Sequence, residues 1–132
     1  MLRPYKERMA TILDMLKNRL PDEAALFAAS LGTVIEEAQA DAGLEGTAED
    51  ALSTSQKSLI ADLAAKALIL PAMSKYKKEM SKVEGDGAGK AEFTDKLKFL
   101  QEMDRRLTTA ITERRGKLDT AADSGVPMTL VE

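Results

Sequence analysis

Apolar residues recur every three or four positions along most of the chain, a spacing that places them on one face of an α-helix. In the first segment they are Tyr5, Met9, Ile12, Leu13, Leu16 and Leu20. Pro4 suits the first turn of a helix, and Pro21 disfavours helical backbone at the residue before it. The pattern therefore predicts one amphipathic helix between Pro4 and Pro21.

A second amphipathic stretch follows directly. Asp22 is a typical helix N-cap, and the apolar positions behind it are Ala24, Phe27, Leu31, Val34, Ile35 and Ala38. Gly32 should weaken this helix by about 1 kcal/mol relative to alanine, so we expect a local bend or a close helix contact there. Gly43 is predicted to end the helix. Residues 43–52 have the composition of a loop.

The third predicted helix is capped by Ser53 or Ser55 and runs to about Lys82. Its centre, LIADLAAKALILPAM, is apolar on nearly all sides, so it should be buried on more than one side. Because a domain of this size has little core to surround it, we expect one side to face a neighbouring subunit. Pro71 removes a backbone hydrogen bond and is expected to kink the helix near residues 67–70.

The clearest break in helical pattern lies in residues 83–94. Glycines stand there at alternate positions, 85, 87 and 89, and this spacing disfavours a helix. We therefore expect a protruding segment, either a flexible loop or a short extended hairpin, after which Thr94 or Asp95 caps a fourth helix. The apolar stripe of that helix comprises Phe93, Leu97, Leu100, Met103, Leu107, Ile111 and Leu118.

Residues 123–132 contain Gly125 and Pro127 and are expected to form an extended tail. Its apolar end, residues 128–131, either docks on a partner, for instance by adding a strand to its sheet, or is a frayed terminus. Together these segments predict an all-α fold. It is a small bundle of about four helices over residues 1–122, with a kinked central helix, a glycine-rich loop at 83–94 and the tail.

The composition of this 132-residue chain excludes several kinds of catalytic and metal site. Aromatic residues make up only 4% and Trp is absent, so the core must consist of Leu, Ile, Ala and Met. The chain has no Cys and no His, which excludes disulfides, thiol or imidazole catalysis and the usual zinc and di-iron sites. Catalysis by carboxylates or lysine alone is the residual enzyme hypothesis. We predict a protein that is not an enzyme and holds no cofactor or metal.

Two motif hypotheses and a membrane span are also disfavoured. The segment GDGAGK lacks the phosphate-loop spacing and has Ala91 after Lys90. The carboxylates Glu84, Asp86 and Glu92 lack the twelve-residue calcium pattern. No signal-peptide pattern follows the charged N-terminal residues, and the longest apolar stretch, residues 60–73, is short and contains charges. Neither export nor membrane insertion is expected.

The net charge of −3 conceals a segregation of charge along the chain. Residues 21–52 contain no Lys or Arg, and their acids are Asp22, Glu23, Glu36, Glu37, Asp41, Glu45, Glu49 and Asp50. Basic residues concentrate on the last two helices, at Lys75, Lys77, Lys78, Arg105, Arg106, Arg114 and Arg115. The two arginine pairs point to opposite sides of the predicted helix, because their spacing rotates one pair by about half a turn relative to the other. They therefore do not form one stripe for nucleic acid. Opposite charges on different elements suit head-to-tail contacts that close into a ring, although ordinary solvated helix faces would have the same composition.

Two stretches of the chain resemble the small helical head–tail connector proteins of tailed bacteriophages. One is PDEAALFAASLGTVIEEA followed by LIADLAAKALILPAM, and the other is EFTDKLKFLQEMDRRL after the glycine-containing loop. The resemblance covers roughly residues 21–107 and lies in the order of the elements. The long charged first helix and the low aromatic content depart from the family pattern, which leaves the connector subtype open.

The resemblance implies a ring of about twelve copies in the virion neck, assembled in the host cytoplasm. Its partners would be further copies of itself, the portal protein, and a stopper or tail-completion protein, with DNA passing through without sequence-specific binding. A helical regulator or chaperone that holds one partner helix in a groove is the alternative from another class.

The same resemblance implies roles for particular residues. The candidate portal or neck contacts are Gly85, Asp86, Gly87, Gly89, Lys90, Val126, Met128, Leu130 and Val131. The charge distribution, and not the resemblance, makes the following residues the candidate contacts between subunits: Lys75, Lys77, Lys78, Arg105, Arg106, Arg114 and Arg115. Channel-facing acids would repel DNA phosphates and let the genome slide, and the candidates are Glu36, Glu37 and Asp41.

Overall fold

The computed structural model describes residues 11–83 and 87–125, and within these the side chains of 87, 88 and 119–125 are not described. The α-helices are α1 (Ile12–Arg19), α2 (Pro21–Leu26), α3 (Leu31–Asp41), α4 (Thr54–Lys82) and α5 (Gly87–Gly125). Short 3-10 helices span Ala28–Ser30 and Glu49–Ala51. No strand occurs in the described ranges, so the predicted all-α class is confirmed.

The first helix differs from its prediction at its start. Thr11 has extended backbone (φ −93°, ψ 167°), so no helix runs unbroken from Pro4 to Pro21. The Thr11 hydroxyl accepts a hydrogen bond from the backbone N–H of Asp14, and the Asp14 carboxylate accepts one from the N–H of Thr11. This capping box satisfies donors at the start of α1, and Glu49 adds a carboxylate acceptor 2.7 Å from the Ile12 nitrogen.

The second predicted helix is two helices in the structure. Pro21 occupies the first turn of α2, and Asp22 lies within that turn instead of capping it. The chain breaks at Phe27 and not at Gly32, because a change of direction there lets both Ala24 on α2 and Leu31 on α3 reach the core. Gly43 ends the stretch as predicted, with a positive φ of 80° that favours glycine.

The central helix α4 begins at the predicted place, where Ser53 and Gln56 form a capping box. Helices α1, α2 and α3 pack against α4, and so does α5. Together they bury Leu59, Ile60, Ala61, Ala64, Ala65, Leu68, Ile69 and Ala72. The expectation that a neighbouring subunit must cover this segment is therefore wrong for most of its surface, because its alanines let the chain's own helices approach closely. Among the described large apolar residues of α4, Leu70 alone is exposed, at 76%.

The glycine-rich segment is helical from Gly87 onward, which corrects the predicted loop at 83–94 and the predicted cap at Thr94 or Asp95. The ring of Phe93 lies 6.2 Å from that of Tyr76 on α4, and the Thr94 hydroxyl donates to the Lys90 carbonyl. Packing against α4 thus outweighs the penalty of about 1 kcal/mol for each helical glycine.

Helices α4 and α5 run antiparallel along each other. Lys66 on α4 donates to the Asp104 carboxylate at 2.8 Å and to the Thr108 hydroxyl at 2.9 Å. Helix α4 continues through Pro71 to Lys82, and the kink expected there stays a prediction. Helix α5 continues to Gly125, past the predicted start of the tail at residue 123, and residues 126–132 lie outside the described residues.

One carboxylate joins three helices. Asp62 on α4 is 2% exposed. Arg19 of α1 donates from Nε to its Oδ1 at 2.6 Å, and Arg114 of α5 donates from Nε to its Oδ2 at 2.7 Å. A buried carboxylate is tolerated here because each oxygen has a cationic donor. Arg114 was a predicted contact between subunits, but the structure turns it inward to this carboxylate.

Replacing Asp62 with alanine is expected to lower the free energy of unfolding by about 2–3 kcal/mol, because it leaves two partly buried guanidinium groups without their acceptor. Denaturant unfolding followed by circular dichroism measures the loss. Glu102→Ala is the matched control, since it also removes one carboxylate paired with two arginines, but on the exposed face of α5. Equal losses in the two variants would contradict the role assigned to Asp62.

Candidate protein-binding surfaces

The first candidate surface is a cluster of lysines on the last third of α4, here called the lysine surface: Lys75, Lys77 and Lys78. All three are exposed. Ala72 and Tyr76, one helical turn apart, are buried, so a different side of α4 faces the core. None of them forms an ion pair with another residue of the described ranges. Their charges are therefore available to a partner.

Tyr76 anchors this end of α4 to α2. Its hydroxyl donates to the Glu23 carboxylate at 2.8 Å, and both side chains are buried. The ammonium of Lys96 lies 5.0 Å from the centroid of the Tyr76 ring. Burial, then the hydrogen bond to Glu23, and then the negative charges of Glu23 and Asp22 raise the pKa of Tyr76 well above its ordinary value. The phenol therefore remains a hydrogen-bond donor at any ordinary pH.

The second candidate surface is an acidic groove of about 620 Å³ between α3 and the loop that follows it. Three exposed carboxylates line this acidic groove, those of Glu36, Glu37 and Glu45. Gln39 holds the loop against α3, because its side-chain nitrogen donates to the carbonyls of Leu44 at 2.9 Å and Thr47 at 2.7 Å. Within the part of the chain that the structure describes, none of the three carboxylates has an ion-pair partner.

The acidic groove and the lysine surface lie toward different ends of α4. Arg115 donates to the backbone carbonyl of Asp41, and its neighbour Arg114 donates to Asp62, so the end of α3 lies near Asp62. Lys77 is about 22 Å farther along α4 at 1.5 Å per residue. The bundle thus carries, at separate places, charges of opposite sign that have no ion-pair partner among the described residues.

The third candidate surface is an open apolar groove of about 570 Å³ lined by α1, α2 and α3. Small residues line it, including Ala24, Ala28 and Gly32, and Leu13 and Ile35 contribute larger apolar side chains. A methyl group added to Gly32 would meet nothing within 4 Å, so the space above this residue is open. An opening of this kind accepts an apolar side chain from outside.

The predicted arginine contacts are engaged within the chain. Arg105 and Arg106 both donate to Glu102 on the same exposed face of α5. The hydrogen bond from Arg105, then that from Arg106, lowers the pKa of Glu102 below its ordinary value. With Arg115 at Asp41 and Arg114 at Asp62, the lysine surface is the part of the predicted subunit contacts that lacks a partner among the described residues.

Some of the remaining predicted contact residues lie within the described residues and others lie outside them. Gly87, Gly89 and Lys90 lie at the start of α5, and Lys90 is exposed. The predicted neck contacts that lie outside the described residues are Gly85, Asp86, Val126, Met128, Leu130 and Val131. The predicted channel-facing acids Glu36, Glu37 and Asp41 are all exposed on α3. The apolar groove was missed from the sequence, because its walls come from three helices whose packing no local pattern specifies.

The pKa of Tyr76 leads to a test of its anchoring role. Tyr76→Phe removes a hydrogen bond to a buried carboxylate and is expected to lower the free energy of unfolding by about 1.5–3 kcal/mol at neutral pH. Above pH 10 the unfolded chain loses the phenol proton while the folded chain keeps it, so the wild type loses stability as pH rises and the phenylalanine variant lacks this loss.

The stability difference between the two proteins should therefore be constant below about pH 9 and shrink above pH 10. Urea unfolding at a series of pH values from 7 to 11 measures it. A difference that is unchanged up to pH 11 would mean that Tyr76 ionises as easily in the folded as in the unfolded chain.

Within residues 11–83 and 87–125, no group of three or more acidic residues lies close enough to hold a metal ion. No helix in those ranges combines the length and the apolar character needed to cross a membrane. Comparison of the chain with models of known families, with curated proteins and with solved structures finds no match.

Proposed function

We propose that this chain is a structural subunit that joins copies of itself head to tail in a ring, and that the ring is the head–tail connector of a tailed bacteriophage. The observation that carries the proposal is the pair of surfaces of opposite charge, the lysine surface and the acidic groove, which have no ion-pair partner in residues 11–83 and 87–125. Contact between two different surfaces of one protein propagates from copy to copy, and it closes into a ring when the rotation permits.

Each of these surfaces groups charges of one sign, whereas charges near the middle of the bundle are paired within it. Lys66 pairs with Asp104, and Arg19 and Arg114 pair with Asp62. Exposed ion pairs contribute only about 0–1 kcal/mol each and are screened by salt. Charge between copies therefore supplies orientation and rate of association, and the assembly should weaken as salt is raised.

The phage role comes from the resemblance of residues 21–107 to connector proteins. In the proposed ring, the portal and a stopper or tail-completion protein bind on either side, and exposed Lys90 at the start of α5 is a candidate contact with one of them. Glu36 and Glu37 then contact the neighbouring copy, which differs from the channel-facing role that the resemblance implies for them. Asp41 keeps its channel-facing role as a prediction.

Charge reversal tests the head-to-tail contact. The wild type is expected to show a mass above 14.3 kDa by light scattering, increasing with concentration. Lys77→Glu/Lys78→Glu and Glu36→Lys/Glu37→Lys should each stay monomeric, because like charges then meet. An equimolar mixture of the two variants should assemble again, since each surface finds its opposite on the other protein.

The matched control is Lys98→Glu/Lys117→Glu, which changes the net charge equally at two exposed lysines outside the lysine surface. It should assemble like the wild type. A wild type that remains monomeric up to about millimolar concentration, where even weak contacts would register, contradicts the proposed function. Failure of the mixture to assemble would exclude the charged contact.

Two observations test the phage role separately. Electron microscopy of the assembled protein should show closed rings with a central opening wide enough for a DNA duplex. Sequencing of the flanking genes should find portal, capsid and tail genes. Open filaments, or a neighbourhood without such genes, would leave a self-assembling protein of another kind.

The apolar groove favours a second candidate function, a regulator or chaperone that binds one partner helix. This candidate predicts a stable one-to-one complex with a single client protein and no ring. The same light-scattering experiment distinguishes it from the proposed function, because the pure protein would then be monomeric at all concentrations.

A further inference from the structure

One exposed face of α4 is suited to insertion into another molecule. Leu70 is 76% exposed, and no other described large apolar residue is exposed to that degree. Ala67 and Ser74 lie about one helical turn before and after Leu70, and both are exposed. Because their side chains are small, the Leu70 side chain protrudes beyond its neighbours. Buried Ile69 and Ala72 hold α4 in this orientation.

The apolar groove between α1, α2 and α3 has the complementary shape. Its small residues, Ala24, Ala28 and Gly32, leave a hollow between the larger side chains of Leu13 and Ile35. Nothing lies within 4 Å of a methyl group added to Gly32. A protruding leucine that enters such a hollow is the arrangement by which helices interlock through knobs and holes.

Charged residues lie at corresponding distances from Leu70 and from the apolar groove. On α3, Glu36 follows Gly32 by one helical turn, so it lies at the rim of the apolar groove. On α4, Lys77 follows Leu70 by two turns, about 10 Å away, and an extended lysine side chain can cover the remaining distance to that rim. Leu70 and Lys77 can therefore meet the hollow and Glu36 in one docked position.

A second charge match involves Lys17 and Asp104. Lys17 lines the apolar groove and has no ion-pair partner within the described chain. Asp104 borders the cleft beside Leu70 and is partly exposed although it pairs with Lys66. A copy docked through Leu70 would bring this carboxylate toward Lys17.

We propose that Leu70 of one copy inserts into the apolar groove of the next copy above Gly32, with Lys77 against Glu36. The contact rests on the proposed head-to-tail assembly and names the two surfaces that meet in it. Leucine burial supplies an attraction that salt does not screen, and the charges select the orientation. Leu70 is then the centre of the interface and the lysines belong to its rim.

Disulfide trapping tests the contact directly, because the natural chain has no cysteine. Leu70→Cys and Gly32→Cys are prepared as separate proteins, mixed and oxidised at a concentration at which the wild type assembles. The expected product is a covalent dimer that contains one copy of each variant. Gly116→Cys replaces Gly32→Cys in the control, since Gly116 is another exposed helical glycine with open space around it.

The dimer of Leu70→Cys with Gly32→Cys should form at least about tenfold faster than the dimer with Gly116→Cys, because only the first pair is held together by binding. Equal rates would overturn the proposed contact. They would leave the head-to-tail assembly standing if the wild type still shows a concentration-dependent mass.

Gly32→Leu gives an independent test in which the groove is filled. The substitution meets open space and removes a helical glycine, so the melting temperature should not fall. Assembly should weaken at least about tenfold, since the hollow for Leu70 is occupied. Gly116→Leu, the control, should assemble normally. Assembly of Gly32→Leu at wild-type strength overturns the contact, whereas a monomeric wild type overturns the proposed function itself.

Discussion

The buried carboxylate of Asp62 is the interaction on which the relative positions of the helices depend. It accepts hydrogen bonds from Arg19 of α1 and Arg114 of α5, and it lies on α4 between them. Because Arg114 is held there, Arg115 reaches the carbonyl at the end of α3. One carboxylate therefore fixes α1, α4 and α5 relative to one another, and through Arg115 it also positions the end of α3.

The enclosure of α4 has a consequence for assembly. Its alanines let the other helices approach closely, so a chain of this length hides most of an apolar helix without a partner. An argument for assembly from unburied apolar surface is therefore restricted to a small area around Leu70. The stronger argument is the separation of unpaired charge between the lysine surface and the acidic groove, which a single copy does not neutralise.

A ring built in this way would combine two kinds of force. Insertion of Leu70 into the apolar groove would stabilise the contact, and paired charges at the rim would decide which surfaces meet. Tyr76 connects the two requirements, because its hydrogen bond to Glu23 fixes α2, which lines the groove, to the end of α4 that carries the lysines. Each copy would thus present both halves of the interface on one rigid bundle.

The sequence by itself determined the all-α class, the end of α3 at Gly43, and the start of α4 to within two candidate caps, of which the structure uses Ser53, because apolar spacing, capping side chains and a glycine with positive φ act locally. Tertiary structure decided the break at Phe27, the helical state of Gly87 and Gly89, the inward turn of Arg114 and the apolar groove. In each of these cases packing between elements distant in the chain either outweighed a local preference or made a contact that no local preference specifies. A helical glycine is tolerated when Phe93 packs against α4, and a groove exists only where three helices meet.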